Sequence, residues 1–257
     1  MSKTFRNFAE EMTVLYEDNH IIAVNKTCNE IVQGDKTGDT PLSETVKAYI
    51  KAKYNKPGEV FLGVTHRLDR PTSGVVLFAR TSKALTRLNE MFREKSVSPK
   101  DGLSAERSVL CQPEGRSIKK TYWAIVQGCP KQPEARLENR LTRNEKLNKS
   151  FIAKPNAKEA KLAILTYKTL VRGANYSLLE VYLETGRHHQ IRCQLAAIGC
   201  PVKGDLKYGA KRSNPDGGIC LHARQIEFIH PVSKIPLCIT APIPEDSLWQ
   251  QLAASVH

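Results

Sequence analysis

The sequence predicts an α+β fold, a mixed and mostly antiparallel central sheet flanked by helices, and three observations carry that expectation. Strand-like runs meet across turn-length gaps more often than they alternate with helical stretches. The run Val75-Val76-Leu77-Phe78-Ala79 is continuously apolar, the mark of a strand buried on both faces. Helical periodicity is confined to short stretches with recognisable start and stop residues. At 257 residues, 40% hydrophobic and 25% charged, the chain is long enough to bury a sizeable core.

Each element follows from local chemistry. Val14-Leu15-Tyr16 and Ile21-Ile22-Ala23-Val24 flank the turn formers Asp18-Asn19-His20, so the fold starts near residue 12 and residues 1–11 form a tail. Thr40-Pro41-Leu42-Ser43 opens a helix with Val46, Tyr49 and Ile50 on one face, and Lys56-Pro57-Gly58 turns away from it. After the Val75 run, Thr81-Ser82 caps a helix whose Leu85, Leu88 and Phe92 share a side. Residues 96–117 lose all periodicity and are longer than ordinary connections, which predicts an insertion loop.

Tyr122-Trp123-Ala124-Ile125-Val126 resumes strand character. Residues 131–161 hold nine Lys/Arg against four Asp/Glu, which predicts an exposed basic flap. Leu162 to Val171 and Tyr176 to Glu184 form a hairpin about Arg172-Gly173-Ala174-Asn175. Ile191, Leu195 and Ile198 mark a helix ended by Gly199 and Pro201. Leu221 to Ile229 and Ile235 to Thr240 make a last antiparallel pair; the domain spans 12–247, and 248–257 is a C-terminal tail.

Composition narrows the partners. Lys and Arg number 39 against 26 Asp and Glu, a formal charge of +13 with pI 9.4, which favours a polyanion because each neutralised phosphate releases counterions. No apolar run is long enough to cross a bilayer and the first residues lack a signal-peptide core, so no membrane partner and a cytoplasmic setting are expected. The seven cysteines are odd in number and never form C-x-x-C, consistent with reduced thiols.

Polar residues that can carry chemistry fall in three places. Thr65-His66-Arg67-Leu68-Asp69-Arg70-Pro71-Thr72-Ser73-Gly74 precedes the buried Val75 strand, and its one acid, Asp69, stands between the cations Arg67 and Arg70. An Asp stabilising a turn is the plainer reading of that stretch. Thr185-Gly186-Arg187-His188-His189-Gln190-Ile191-Arg192 opens a helix; His188 and Arg192 are four apart on one face, and the helix start suits a phosphate. Lys119-Lys120-Thr121-Tyr122-Trp123 sets cations beside aromatics that can stack on a base. In a strand Tyr122 and Trp123 face opposite sides. Phosphate-cradling and Rossmann glycine patterns and G-x-S-x-G are absent, and the histidine spacing does not support a metal site.

His66-Arg67-Leu68-Asp69 with Thr72-Ser73-Gly74, then Lys120-Thr121-Tyr122, then the Thr185 to Arg192 run with Gly204-Asp205 and Tyr208-Gly209, resembles the RluA-type RNA pseudouridine synthases in order and content, from about Val14 to Pro244. The resemblance implies that Asp69 is catalytic, Tyr122 stacks on the uracil, Arg192 pairs with the carboxylate, and Arg67 holds the duplex once the nucleotide is extruded. His66, Thr72, Lys120, Arg187, His188 and Gln190 are expected to contact RNA. It implies an isomerase acting on structured rRNA or tRNA by base flipping, as a monomer, with no cofactor or metal. An RNA-binding or ribosome-assembly factor of the same fold with dispensable catalysis is the main alternative. A metal-dependent phosphoesterase built on His66, His188 and His189 is the weaker one.

Two departures stand out. The family's Lys-Pro-x-Gly is here Lys26-Thr27-Cys28-Asn29, which loses a stiff and a permissive residue. The 96–117 insertion is expected to border the RNA entrance. The accessory RNA-binding domain of many relatives is expected to be absent, leaving the 131–161 segment as the chief source of RNA affinity.

Overall fold

The computed structural model describes residues 12–93, 117–154 and 157–256. The 1–11 tail and all but the last residue of the 96–117 insertion lie outside the described residues. The rest is one mixed sheet with four helices. In chain order the strands are β1 (Thr13–Glu17), β2 (Ile21–Lys26), β3 (Gly63–Val64), β4 (Ser73–Ala79), β5 (Lys119–Gln127), β6 (Glu134–Asn144), β7 (Lys149–Ile152), β8 (Lys161–Arg172), β9 (Tyr176–Leu183), β10 (Leu221–Ile229) and β11 (Pro236–Thr240). The helices are α1 (Leu42–Lys53), α2 (Ser82–Arg93), α3 (Gln190–Ala197) and α4 (Ser247–Ala254).

The strands run in the order β1-β2-β4-β10-β5-β9-β8-β6-β7, with β3 beside β4 and β11 beside β10. Among the described pairings only β4 with β10 is parallel. The expected α+β sheet is present.

The unbroken apolar run of β4 has a direct cause: alternate side chains enter opposite cores. Val76 and Phe78 pack in the core that holds Leu42, Val46 and Ile50 of α1. Val75, Leu77 and Ala79 pack in the second core with Ala84, Leu88 and Met91 of α2. Helix α2 starts where expected, with the Thr81 hydroxyl accepting from the Ala84 amide at 3.2 Å. Pro41 lies just outside α1 in an extended conformation, and the first amides of the helix donate to Ile31 and Val32 carbonyls instead of to a side-chain cap.

Two expectations are corrected. Much of the 131–161 segment is regular sheet, since β6 and β7 form its outer hairpin. In β6 the more sheltered positions Ala135, Leu137, Asn139 and Leu141 alternate with exposed Glu134, Arg136, Glu138 and Arg140. The period of two is present in the sequence there, but with Ala135 and Asn139 among the sheltered positions its apolar content is low. Residues 248–257 are no free tail either: the Asp246 carboxylate caps α4 by accepting from Leu248 and Trp249 amides, and Trp249 and Leu252 are buried in the main core. A two-turn helix carries too few apolar positions to stand out.

The meeting of β4 and β10 decides one residue outright. Gly74 has φ +115°, and a Cβ there would lie 2.3 Å from the Ala223 carbonyl oxygen and 2.6 Å from its nitrogen. Only glycine lets the two strands approach. Next to it, the Ser73 hydroxyl and His222 Nδ1 are 2.8 Å apart.

Candidate active site

The loop carrying Asp69 lies between β3 and β4 and is pinned from below by Lys26, the last residue of β2. Its fully buried ammonium donates to three carbonyls: Thr27 at 2.8 Å, Arg70 at 2.9 Å and Thr72 at 2.7 Å. Burial lowers its pKa to about 8, against the opposing pull of Glu30, Cys28 and Asp69. The Thr72 amide closes a turn onto the Asp69 carbonyl at 3.0 Å, and the Asn29 amide holds the Arg70 carbonyl at 3.0 Å. Asn29 occupies the left-handed region at φ 70°, so asparagine supplies here the conformation that the family's glycine would. The Thr27 amide, which a proline would lack, is used: it donates to Glu30 at 2.7 Å.

At the loop's tip Asp69 meets Arg192, the third residue of α3. Arg192 Nη1 donates to Asp69 Oδ2 at 3.1 Å, while Nε and Nη2 form a fork on the two oxygens of Asp205 at 2.6 and 2.9 Å. Burial works against the charge on Arg192, and the contacts with Asp205 and then Asp69 more than offset it, leaving its pKa above the usual value. Asp205 is 1% exposed and Asp69 is reachable, its side chain 30% exposed. One guanidinium therefore joins a structural acid to an accessible one.

His189 completes the floor. The Tyr208 hydroxyl accepts from the Ser150 amide at 2.8 Å, so its own proton is directed at His189 Nδ1, 3.1 Å away. That network assigns the imidazole proton to Nε2, which faces Asp69 Oδ2 at 3.5 Å. Burial, then the Arg192 charge, lower the His189 pKa to about 2, so the ring is neutral. His189 adopts a left-handed conformation, φ 50°, just before α3 begins. Both contacts to Asp69 reach Oδ2, and among the described residues no hydrogen bond is made to Oδ1.

Around this floor lies a cleft of about 1210 Å³ that includes every residue named as a site candidate from the sequence. Its volume lies just above the roughly 300 to 1,000 Å³ typical of small-ligand sites. Tyr122 stands in its wall, and burial and then the Asp69 charge raise the phenol pKa above its usual value. Trp123 faces away, under the Arg224 guanidinium at 4.9 Å. Arg67 is exposed, and Lys120 has its ammonium 5.8 Å from the centre of the Phe92 ring.

Several expected RNA contacts are committed inside the protein instead. Thr72 is 2% exposed and braces the loop. Gln190, 3% exposed, accepts from Thr185 and from the Arg187 amide and donates to the Ile164 carbonyl. His66 Nε2 accepts from the Leu77 amide at 3.0 Å, and the ring stacks on Phe92. Helix α3 begins only at Gln190, so His188 precedes it and shares no helical face with Arg192; its ring meets Ser150 and Asn148. Arg187 is exposed, with its Nε on the Leu162 carbonyl. Arg70 turns from Asp69 to Asp39 and Asp35, at 2.7 and 3.6 Å. Among the described residues no three His, Cys, Asp or Glu are placed to hold a metal, so the phosphoesterase set is not assembled.

Sequence reasoning missed the roles of Asp205, Tyr208, His189 and Lys26. The signals present were the pairs Gly204-Asp205 and Tyr208-Gly209 for the first two, the Thr185 to Arg192 run for His189 and the Lys26-Thr27-Cys28-Asn29 motif for Lys26.

Three histidines whose folded pKa is lowered set an acid limit. Burial lowers the pKa of His66 to about 3, with Lys120 contributing; that of His222 to about 4, with Arg224 contributing; and that of His189 to about 2. The unfolded chain titrates them near 6.5 and so binds more protons below that pH. Their contribution to stability is full above pH 6.5 and is lost as pH falls toward the folded values. Urea unfolding at pH 7.5 and 5.0 is expected to show a loss of at most about 2 kcal/mol per histidine. Equal midpoints at the two pH values would contradict the buried neutral rings.

A carboxylate tethered to a guanidinium lies at the base of a cleft whose wall also carries Arg67, Arg70, Lys120, Arg143, Arg187 and Lys207. Residues 20–197 match the family described as RNA pseudouridylate synthase, and the chain belongs to that family. It is 32% identical over 256 residues to the ribosomal large subunit pseudouridine synthase D of Xylella fastidiosa, covering 95% of this chain and 69% of that one. It is 29% identical to the large subunit pseudouridine synthase C of Vibrio cholerae, covering 91% of this chain and 66% of the relative. The chain thus spans about two thirds of these relatives' length. The solved human RNA pseudouridylate synthase domain containing 4 shares the fold, with a TM-score of 0.71 at 21% identity, covering 97% of this chain and 94% of that one. No described helix is long and apolar enough to cross a membrane.

Proposed function

We propose that this chain isomerises uridine to pseudouridine in structured RNA, ribosomal or transfer, with Asp69 as the catalytic group. The observation that carries this reading is the 3.1 Å contact of Arg192 with Asp69 at the floor of the cleft. In the reaction the bond from N1 of uracil to C1′ of ribose breaks, a bond from C5 to C1′ forms, the C5 proton is released and N1 takes up a proton, so the product is an isomer of the substrate. No water is consumed. Glycosidases need a second carboxylate to activate water, whereas here the other acids in the cleft wall, Asp35 and Glu184, are paired with Arg70 and Arg136.

With Oδ2 held by Arg192, Oδ1 of Asp69 addresses the nucleotide, whether it attacks the sugar, adds to the base or removes a sugar proton. The target uridine must leave its stack, at a cost of a few kcal/mol. Stacking on Tyr122 offsets part of it, at about 1 to 3 kcal/mol per base, and Arg67, Lys120 and Arg187 balance the phosphates. Enclosure of the base keeps water from the detached intermediate. A monomer is proposed because one chain supplies the whole site, and a cytoplasmic setting because the described cysteines are free thiols.

RNA labelled with tritium at uridine C5, incubated with the protein, is expected to release tritium at a steady rate. The rival RNA-binding role predicts bound RNA and no release.

A further inference from the structure

His189 is held from more directions than filling a core requires. Its ring is stacked on His188, with centroids 3.8 Å apart, and is met edge-on by Tyr208 at 5.7 Å. The Ser150 hydroxyl, from β7, donates to the His188 carbonyl at 2.6 Å and so fixes the backbone that leads into His189. His189 itself is left-handed at φ 50°, an uncommon conformation that collects where a side chain must be aimed. Packing alone would favour an apolar side chain here, with no polar atom to satisfy.

The two ring nitrogens have unequal tasks. Nδ1 faces the Tyr208 hydroxyl at 3.1 Å, and that hydroxyl is occupied on its accepting side by the Ser150 amide, which leaves the imidazole proton on Nε2. Nε2 points from 3.5 Å at Asp69 Oδ2, the oxygen that Arg192 holds at 3.1 Å. With one contact a carboxylate can pivot about the held oxygen, because the terminal torsion of aspartate is soft. A second donor from another residue removes that freedom. The Nε2 contact needs to shorten by only about half an ångström to become an ordinary hydrogen bond, and catalytic hydrogen bonds are often long before substrate arrives.

We propose that His189 is a positioning residue: fixed by Tyr208 in its Nε2–H tautomer, it gives Asp69 Oδ2 a second tether and turns Oδ1 toward the extruded uridine, a role that rests on the reading of Asp69 as the catalytic group. Tyr208 acts one step further back. Without its hydroxyl the proton is free to move to Nδ1, and the Nε2 lone pair then repels the carboxylate instead of holding it.

Total RNA from cells lacking the protein, labelled with tritium at uridine C5, serves as substrate, with enzyme in excess so that the limiting rate and the half-saturating enzyme concentration are read separately. His189→Leu is expected to lower the limiting rate about 30-fold and to move half-saturation by less than about 2-fold. His189→Gln, whose amide N–H can stand where the ring's Nε2–H stands, is expected to recover most of that rate. Tyr208→Phe is expected to lower it about 10-fold. Nitrogen-15 NMR of histidine-labelled protein reads the tautomer: the ring whose signals His189→Gln removes is expected to carry its proton on Nε2, and to lose that preference in Tyr208→Phe. An unchanged limiting rate in His189→Leu, equal losses in the leucine and glutamine variants, or a ring protonated on Nδ1 in the unaltered protein each overturns the tether. The tautomer and the glutamine rescue decide the matter even where the leucine variant folds poorly. No release by the unaltered protein from this RNA is a separate failure, that of the catalytic reading, and removes the tether with it.

Discussion

Asp69→Asn is expected to lower tritium release on the order of 10⁴-fold while RNA binding stays within a few-fold. The substitution keeps the shape of the side chain and removes its charge and its ability to attack or take a proton. The fold does not depend on that charge: Arg192 keeps its fork on Asp205, and the Asp69 side chain is 30% exposed. The unfolding free energy from urea titration should therefore change by less than about 1 kcal/mol. Release within 10-fold of the unaltered protein would remove Asp69 from the chemistry, and loss of binding with loss of release would mean that the change disturbed the cleft.

The second large effect falls on Arg192. Arg192→Met takes one partner from a buried pair and leaves the Asp205 carboxylate, 1% exposed, without its counter-charge. Such a break costs about 3 to 5 kcal/mol, and Asp69 loses its anchor at the same time. Structural and functional parts separate in the double variant. Adding Asp205→Asn to Arg192→Met should recover most of the stability, because the stranded charge is gone, yet tritium release should stay at the level of the single variant. Recovery of both would make the guanidinium structural only. Arg192→Lys should restore neither fully, since one ammonium cannot fork on Asp205 and still reach Asp69.

Much of this site was legible before any coordinates. The motif order put Asp69, Tyr122 and Arg192 in one cleft, and the structure brings them together. What stayed hidden was commitment inside the protein. Gln190 and Thr72 look like polar loop residues available to RNA, and only the fold shows that Gln190 is consumed by Thr185, Arg187 and Ile164. Charge proximity along the chain misled as well: Arg70 adjoins Asp69 in sequence but answers Asp39. The β4 run and the β8–β9 hairpin were clear as strands because apolar residues fill them. In β6 charged and less polar residues alternate, but only Leu137 and Leu141 are large apolar side chains on the sheltered face, so the strand signal is weak beside that of β4.

The parallel meeting of β4 and β10 also sets an order of events during synthesis. Ser73 and Gly74 emerge early, but their partners His222 and Ala223 come about 150 residues later. At typical elongation rates of 5 to 20 residues per second, Asp69 waits roughly 8 to 30 s without that neighbouring strand. Arg192 and Asp205 arrive within the same interval. A ribosome-bound chain stopped short of β10 would hold Asp69, Tyr122 and Arg192 and still lack the strand that pairs with β4, so the cleft is completed only once residues 221–229 have emerged.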